Sequence, residues 1–332
     1  MKLDSNSKIG VIGYGSWATA LVGQITGGGH PVYWHIRNQE VLDGVVNDGY
    51  NPKYISDLEL DTSLITASAD IDEVVSNSDI VVLAAPSAYL KTFLEPLTVS
   101  LEDKFIISAI KGIIPDEYQT VTEYINSKYG VSRKYLGIVS GPSHAEEVSR
   151  GKLSYLTVAC VDEEDARVFG SMIAGKSLVI NYSRDVYGVE YAGVLKNIYA
   201  LAAGLAAGLG YGDNFLSVLI AACSDEMKRF LDESYPFERN TSSSAYLGDL
   251  LVTCYSTYSR NRRLGQMIGH GCTVKSALNE MTMIAEGYFA ADCLRHVARR
   301  GDISLPIADM VYDVLYRKAR PRKAMEALAA KL

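Results

Sequence analysis

The chain is 332 residues long, 48% hydrophobic and 21% charged, with a formal net charge of −7. That is the composition of a soluble globular protein with a large core and room for two domains. The acidic balance excludes a general binder of nucleic acid or of anionic membrane surfaces, while leaving room for local sites that hold small anions.

Residues 8–13, Lys-Ile-Gly-Val-Ile-Gly, form a short apolar run that reads as a buried first strand. It leads at once into Gly13-Tyr-Gly15-Ser16-Trp17-Ala18 and a helix over 19–25. This is the Gly-x-Gly-x-x-Ala dinucleotide fingerprint in its strand–turn–helix setting. There Gly13 permits the tight turn, Gly15 lets backbone approach a pyrophosphate, and Ala18 lets helix and strand lie close, with phosphate drawn to the helix N-terminus. Glycines 27–29 close the helix, and 31–36 read as the second strand. Roughly 20 residues beyond the glycines, an NAD-specific site would place Asp or Glu on the ribose hydroxyl. Here the strand ends in Trp34-His35-Ile36-Arg37-Asn38, without an acid. Arg37 is either a partner for a 2′-phosphate, so that NADP is at least tolerated, or a solvated arginine at a strand end.

The alternation continues with a strand at 64–67, a helix at 71–76 and a strong strand at 79–86 stopped by Pro86. A helix at 89–94 and a strand at 105–110 lead to Lys111-Gly112, followed by a helix over 119–129. The strand 136–140 runs into the loop Gly141-Pro-Ser143-His-Ala145, and strands 155–161 and 178–181 flank a helix at 163–173. Repeated β–α units of this kind predict a doubly wound, mainly parallel sheet, with ligands at the carboxyl ends of its strands. Lys111 and the 141–145 loop both lie at such ends.

After residue 182 the strand signal fades. Residues 188–214 are apolar on nearly every face and lack proline, so they read as one buried helix. Its uncharged run, 198–212, is short of the roughly 20 residues a bilayer span requires. Lys196 and Asn197 therefore sit where the centre of a soluble domain is expected. A buried ammonium is costly unless it is paired or used, and burial lowers its pKa toward values suited to acid–base work. The alternative is a lysine that snorkels to the surface from an ordinary core helix. Helices follow at 216–231, 244–254, 274–281, 287–299 and 307–316. The predicted organisation is a Rossmann-like dinucleotide-binding domain over 1–183 and an all-helical substrate-binding and catalytic domain over 184–332.

Ser259-Arg260-Asn261-Arg262-Arg263 lies in a polar segment, 256–264, read as a connection between helices. Its guanidinium groups suit a phosphate dianion, against the alternatives of a solvated basic turn or a nucleic-acid patch. A second basic run at 317–323 reads as a solvated turn between C-terminal helices. Asp249 reads equally as a helix N-cap and as a group that orients Lys196, and Glu286 is similarly open. The five histidines show no metal spacing, so no metal is expected. The five cysteines are scattered and never form Cys-x-x-Cys, which fits a reducing compartment. The polar start, 1–8, has no apolar signal core, and a cytoplasmic protein is expected. Gly204-x-x-x-Gly208 permits close helix packing, more readily inside one chain than across a homodimer.

In this order, these motifs carry a resemblance over nearly the whole chain. Gly13-Tyr-Gly-Ser-Trp-Ala18, Ala109-Ile-Lys-Gly112, Ser140-Gly-Pro-Ser-His-Ala145, Gly188-Val-Glu, Leu195-Lys-Asn197, Gly248-Asp-Leu250, Ser259-Arg-Asn-Arg-Arg263 and Ala285-Glu-Gly287 resemble the bacterial-type NAD(P)-dependent glycerol-3-phosphate dehydrogenases. The resemblance implies interconversion of dihydroxyacetone phosphate and sn-glycerol 3-phosphate with NADPH or NADH, supplying glycerophospholipid synthesis. It implies Lys196 as the catalytic proton donor and acceptor, with Lys111, Gly141, Ser143, Asp249, Ser259, Arg260 and Asn261 also lining the substrate. It implies Ser16, Trp17, Arg37, Tyr54, Lys111, Ala145, Arg260, Ile284 and Glu286 along the dinucleotide, beside Gly13 and Gly15 of the fingerprint. The competing readings are a 3-hydroxyacid or 6-phosphogluconate-type dehydrogenase, which needs a carboxylate site, and a catalytically silent dinucleotide sensor, which needs neither Lys196 nor the Arg260 cluster.

Overall fold

Ile9, Val11 and Ile12 are β-branched and buried, so β1 (Ile9–Ile12) is a central strand covered on both faces. It pairs in parallel with β2 (Val32–His35) on one side and β4 (Ile80–Leu83) on the other, and β3 (Ile65–Ser68) extends the sheet beyond β2. The structure, a computed structural model, describes residues 3–332. Beyond β4 come β5 (Phe105–Ser108), β8 (Leu136–Ser140), β9 (Ser154–Cys160) and β10 (Leu178–Ser183), while β6 (Ile113–Ile114) and β7 (Gln119–Thr120) form a separate hairpin. The eight strands run in the order β10-β9-β8-β5-β4-β1-β2-β3, all parallel to their neighbours except at β8–β9. This is the expected doubly wound, mainly parallel sheet.

The connections between strands carry α1 (Ser16–Gly27), α2 (Gln39–Asp43), α3 (Ile71–Ser76), α4 (Leu90–Leu94), α5 (Val121–Tyr129), α6 (Ala145–Ser149) and α7 (Glu163–Ile173). Apolar faces of α1 and α7 close a core of Val11, Val82, Ile107, Val139 and Val158 with Leu21, Ile25 and Phe169. The strand order reverses at β1–β4, where the crevice of a doubly wound sheet opens. The fingerprint turn lies at the carboxyl end of β1.

The remainder is helical: α8 (Val186–Gly208), α9 (Asp213–Ser234), α10 (Asp249–Tyr255), α11 (Arg260–Gly269), α12 (Val274–Glu280), α13 (Glu286–Arg300), α14 (Pro306–Tyr316) and α15 (Pro321–Ala329). The chain folds as two units, one reaching Ile110 and resuming over Val121–Val186, the other made of Lys111–Thr120 and Tyr187–Leu332. The β6–β7 hairpin, with Lys111 at its entrance, thus belongs with the helices. On α8 every residue from Gly188 to Ala206 is buried. Gly204 and Gly208 bring this helix against Gly265 and Gly269 of α11: a Cβ at Gly269 would lie 2.6 Å from the Leu205 carbonyl oxygen. The small-residue spacing therefore serves packing within the chain. Among the described residues, no helix is long and apolar enough to cross a membrane.

Several boundaries differ from the sequence reading. The helix expected over 119–129 starts at Val121, because Gln119 and Thr120 pair with Ile113 and Ile114. The helix expected over 188–214 ends at Gly208; Gly210 takes φ 89° and a new helix begins at Asp213. The polar connection expected at 256–264 is a helix from Arg260 onward, capped by the Ser259 hydroxyl, which accepts the Arg262 N–H. The helix expected over 244–254 has a wide π turn at Ser244–Gly248 before α10. The loop read as ending at Ala145 passes there into α6, and the basic run at 317–323 passes into α15 at Pro321.

Candidate active site

In the first unit, Gly13 takes φ +119°, and a Cβ there would lie 2.6 Å from the Ala84 carbonyl oxygen at the end of β4. Only glycine fits this turn. The Trp34 indole N–H donates to the Gly13 carbonyl at 2.6 Å, holding it from the core side. Asn51, wholly buried, donates to the Tyr14 carbonyl and the Thr19 hydroxyl and accepts the Lys53 and Tyr54 N–H groups. A Cβ at Gly15 would meet nothing within 4 Å. Open space thus faces the start of α1, whose first turn has no side-chain cap and no acid. These N–H groups and the helix dipole fit an anion, and the residues present fit a dinucleotide pyrophosphate.

Around that turn the sequence-predicted cofactor residues fall into two groups. Ser16 and Trp17 open α1, and Trp17 packs on the cluster of Ala20, Ala145 and Val148. Tyr54 and Tyr14 have ring centroids 6.4 Å apart, and Tyr14 lies 5.7 Å from Phe93, over whose ring the Arg37 guanidinium sits at 3.9 Å. Gly141 takes φ +132°, with a Cβ position 2.7 Å from the Tyr155 carbonyl oxygen, and the Ser143 hydroxyl donates back to its carbonyl.

In the second unit, α8 delivers Lys196 into the interior, where it is 5% exposed. The first residue of α10, Asp249, binds both lysines: Lys196 through Oδ1, and Lys111 through Oδ2 at 3.0 Å. Asp249 is not the helix cap that the sequence also allowed, since Gly248 occupies that position. Burial pushes the Lys196 ammonium well below the ordinary lysine value; Asp249 opposes this shift and Lys111 adds to it. For Asp249, burial works upward, but the two ammonium groups, Lys111 foremost, hold its carboxyl below the usual carboxylate value. Lys196 is therefore fixed in place, and its ammonium gives up a proton more readily than an ordinary lysine does.

A second chain of contacts joins four elements. Asn197 Nδ2 donates to the Lys111 carbonyl at 2.8 Å, Asn261 Nδ2 donates to Asn197 Oδ1 at 2.8 Å, and the Gly287 N–H donates to Asn261 Oδ1 at 2.9 Å. Arg260, exposed beside them, donates from Nη1 to the Ile284 carbonyl at 3.3 Å, and Glu286 opens α13. The structure thus gathers Lys111, Lys196, Asn197, Asp249 and Asn261, with Ser259 and Arg260 at the start of α11. Sequence reasoning had not seen that one carboxylate serves both lysines, nor that Gly287 closes the asparagine chain. Nothing in residue spacing pairs Asp249 with groups 53 and 138 positions away.

A dinucleotide fingerprint on a doubly wound sheet, together with helices that bury a lysine paired to a carboxylate, defines a nicotinamide-dependent dehydrogenase. Two family models match: the NAD-dependent glycerol-3-phosphate dehydrogenase N-terminus over residues 8–166, and the C-terminus of the same family over residues 185–326. A glycerol-3-phosphate dehydrogenase [NAD(P)+] of Staphylococcus carnosus is 33% identical over 97% of both chains. One from Salinibacter ruber is 33% identical over 97% of this chain and 94% of its own. Among solved structures, glycerol-3-phosphate dehydrogenase from Coxiella burnetii aligns with a TM-score of 0.89 at 26% identity, covering 98% of this chain and 99% of that one. The chain belongs to the NAD-dependent glycerol-3-phosphate dehydrogenase family.

Proposed function

We propose that Lys196 is the acid–base group of an enzyme that interconverts dihydroxyacetone phosphate and sn-glycerol 3-phosphate with NADPH or NADH. The activity is that of the family, and its product feeds glycerophospholipid synthesis. The observation that carries the residue assignment is the buried Lys196, paired with Asp249 beside a second ammonium, Lys111. When bound, the cofactor supplies the hydride in reduction and accepts it in oxidation. In reduction the Lys196 ammonium hydrogen-bonds the ketone oxygen, stabilises the negative charge developing there and gives up its proton; in oxidation the neutral amine takes that proton back. Asp249 holds Lys196 against rotation, and Lys111 adds positive charge for the alkoxide. Arg260 and Asn261, at the N-terminus of the ten-residue α11, are the groups for the substrate phosphate, since a guanidinium offers paired donors and the helix end adds its dipole. Gly13, Gly15, Ser16 and Trp17 hold the pyrophosphate of the dinucleotide, and Arg37 and Tyr54 its adenosine end.

The test is oxidation of NADPH and NADH with dihydroxyacetone phosphate, run beside 3-hydroxyisobutyrate and 6-phosphogluconate in the opposite direction. Turnover of dihydroxyacetone phosphate alone is expected. Preference for either acid would transfer the chain to a carboxylate-binding dehydrogenase, and cofactor binding with no turnover would make it a sensor.

A further inference from the structure

Phe93 lies on the short helix α4, 5% exposed, in a part of the sequence with no recognised motif. The Arg37 guanidinium lies 3.9 Å over the Phe93 ring centroid. His35 meets the same ring edge-on at 6.2 Å, and Tyr14 of the fingerprint turn meets it at 5.7 Å. The ring therefore connects three functional positions: the turn after β1, the end of β2 and Arg37. Arg37 itself is exposed, and no carboxylate lies within ion-pair distance of it among the described residues. Glu40, the nearest acid along the chain, is bound instead by Lys53 at 2.6 Å.

A long exposed arginine ordinarily samples many rotamers, and each one lost on binding a ligand weakens that binding. Stacking on an aromatic ring removes part of that freedom beforehand and leaves the guanidinium edge, with its donors, directed at a ligand. We propose that Phe93 is a specificity-determining residue that pre-orients Arg37 for the 2′-phosphate of NADP(H), so that its ring discriminates between the two nicotinamide cofactors without touching either one's reactive end. This rests on the NAD(P)-dependent reading above. Burial keeps His35 below the ordinary histidine value, so its ring stays neutral and does not compete with Arg37 for the face of Phe93.

The test isolates the 2′-phosphate from the rest of the cofactor. Calorimetric titrations of the purified protein with 2′,5′-ADP and with 5′-AMP measure how much that one phosphate adds. The wild type should bind 2′,5′-ADP more tightly. Phe93→Leu should narrow the gap by about five-fold, the size of one cation–π contact, with 5′-AMP affinity within two-fold of wild type. Phe93→Met, which keeps the volume but not the ring, should behave alike, and Phe93→Tyr should restore the gap. In an Arg37→Ala background, Phe93→Leu should have no further effect on the gap. Equal losses for both nucleotides would mean that Phe93 merely holds α4 in place, and an unchanged gap would mean that the ring does not orient Arg37; either result overturns the proposal. Wild-type binding of 5′-AMP without preference for 2′,5′-ADP overturns it while sparing the cofactor reading. Binding of neither nucleotide removes both.

Discussion

Asn261 donates its amide to the side-chain oxygen of Asn197 at 2.8 Å, and through that bond the arginine-bearing helix α11 is keyed to the lysine-bearing helix α8. Both residues are buried, and Asn261 also receives the Gly287 N–H. Buried polar groups left unpaired are expensive, so the fully paired chain sets one relative position for Lys196 and Arg260. Asn261→Ala should lower stability by about 1–3 kcal/mol, since it strands the Asn197 oxygen and the Gly287 N–H. It should also raise the Michaelis constant for dihydroxyacetone phosphate more than it lowers kcat. Denaturant unfolding with steady-state kinetics checks both, and an unchanged Michaelis constant would remove Asn261 from the substrate side.

Lys196→Ala should lower turnover by about 100-fold or more, the usual scale of acid–base catalysis. The pH profile is more discriminating. Reduction needs the ammonium, so its rate should fall as pH rises through a Lys196 pKa lying below the ordinary lysine range, while oxidation rises over the same interval. Asp249 opposes the depression, so Asp249→Asn should carry the descending limb of reduction to lower pH. Initial rates in both directions across pH measure this. A limb that stays put or moves upward in Asp249→Asn would show that another group carries the proton.

Much of this was legible in the chain itself, and the failures have physical causes. The fingerprint is local: Gly13 is required by one turn and could be read directly, while Gly15 faces open space. The central strands β1 and β4 announce themselves because both faces of the sheet are buried there and their residues are apolar. Helix α11 was missed for the opposite reason. Its packed face includes Gly265 and Gly269, set against Gly204 and Gly208, so backbone replaces the large apolar side chains that make a helical pattern visible. The bridging role of Asp249, the asparagine chain and the ring under Arg37 all join residues distant in sequence. Only the fold pairs them.

Glu226 should give the protein a pH-dependent stability unconnected with catalysis. It lies on α9, 2% exposed, and accepts the Ile307 and Ala308 N–H groups at 2.8 and 3.0 Å at the start of α14. Burial pushes its carboxyl up to about 7, and these two N–H groups only partly oppose the shift. Because the folded value is raised, the native state holds the proton more tightly than the unfolded chain. The stabilisation is complete below the ordinary glutamate value and is lost as pH rises through about 7. The melting temperature should therefore decline from pH 5 to pH 8 more steeply in the wild type than in Glu226→Gln, which cannot titrate there. Parallel curves would show that Glu226 does not change its proton affinity on folding.

Arg260 separates recognition of a phosphate from general basicity. Three arginines crowd the first turn of α11, but their surroundings differ: Arg260 donates to the Ile284 carbonyl, Arg262 closes the Ser259 cap through its backbone, and Arg263 is exposed. A phosphate monoester near neutrality is mostly dianionic, and removing it from water requires charge-assisted, paired donors. Arg260→Ala should remove roughly 2–5 kcal/mol of apparent transition-state binding, as when one member of a desolvated charge pair is lost. Arg260→Lys should recover only part of it, because an ammonium is a point charge without the planar fork. Arg263→Ala should change kcat/KM little, since a solvated guanidinium contributes through a screened field, and Arg262→Ala leaves the backbone cap intact. If Arg260 also reaches the cofactor, its removal will raise the Michaelis constant for NADPH as well. Comparable losses at all three positions would mean that a diffuse positive field draws in the substrate, and the single-arginine clamp would be wrong.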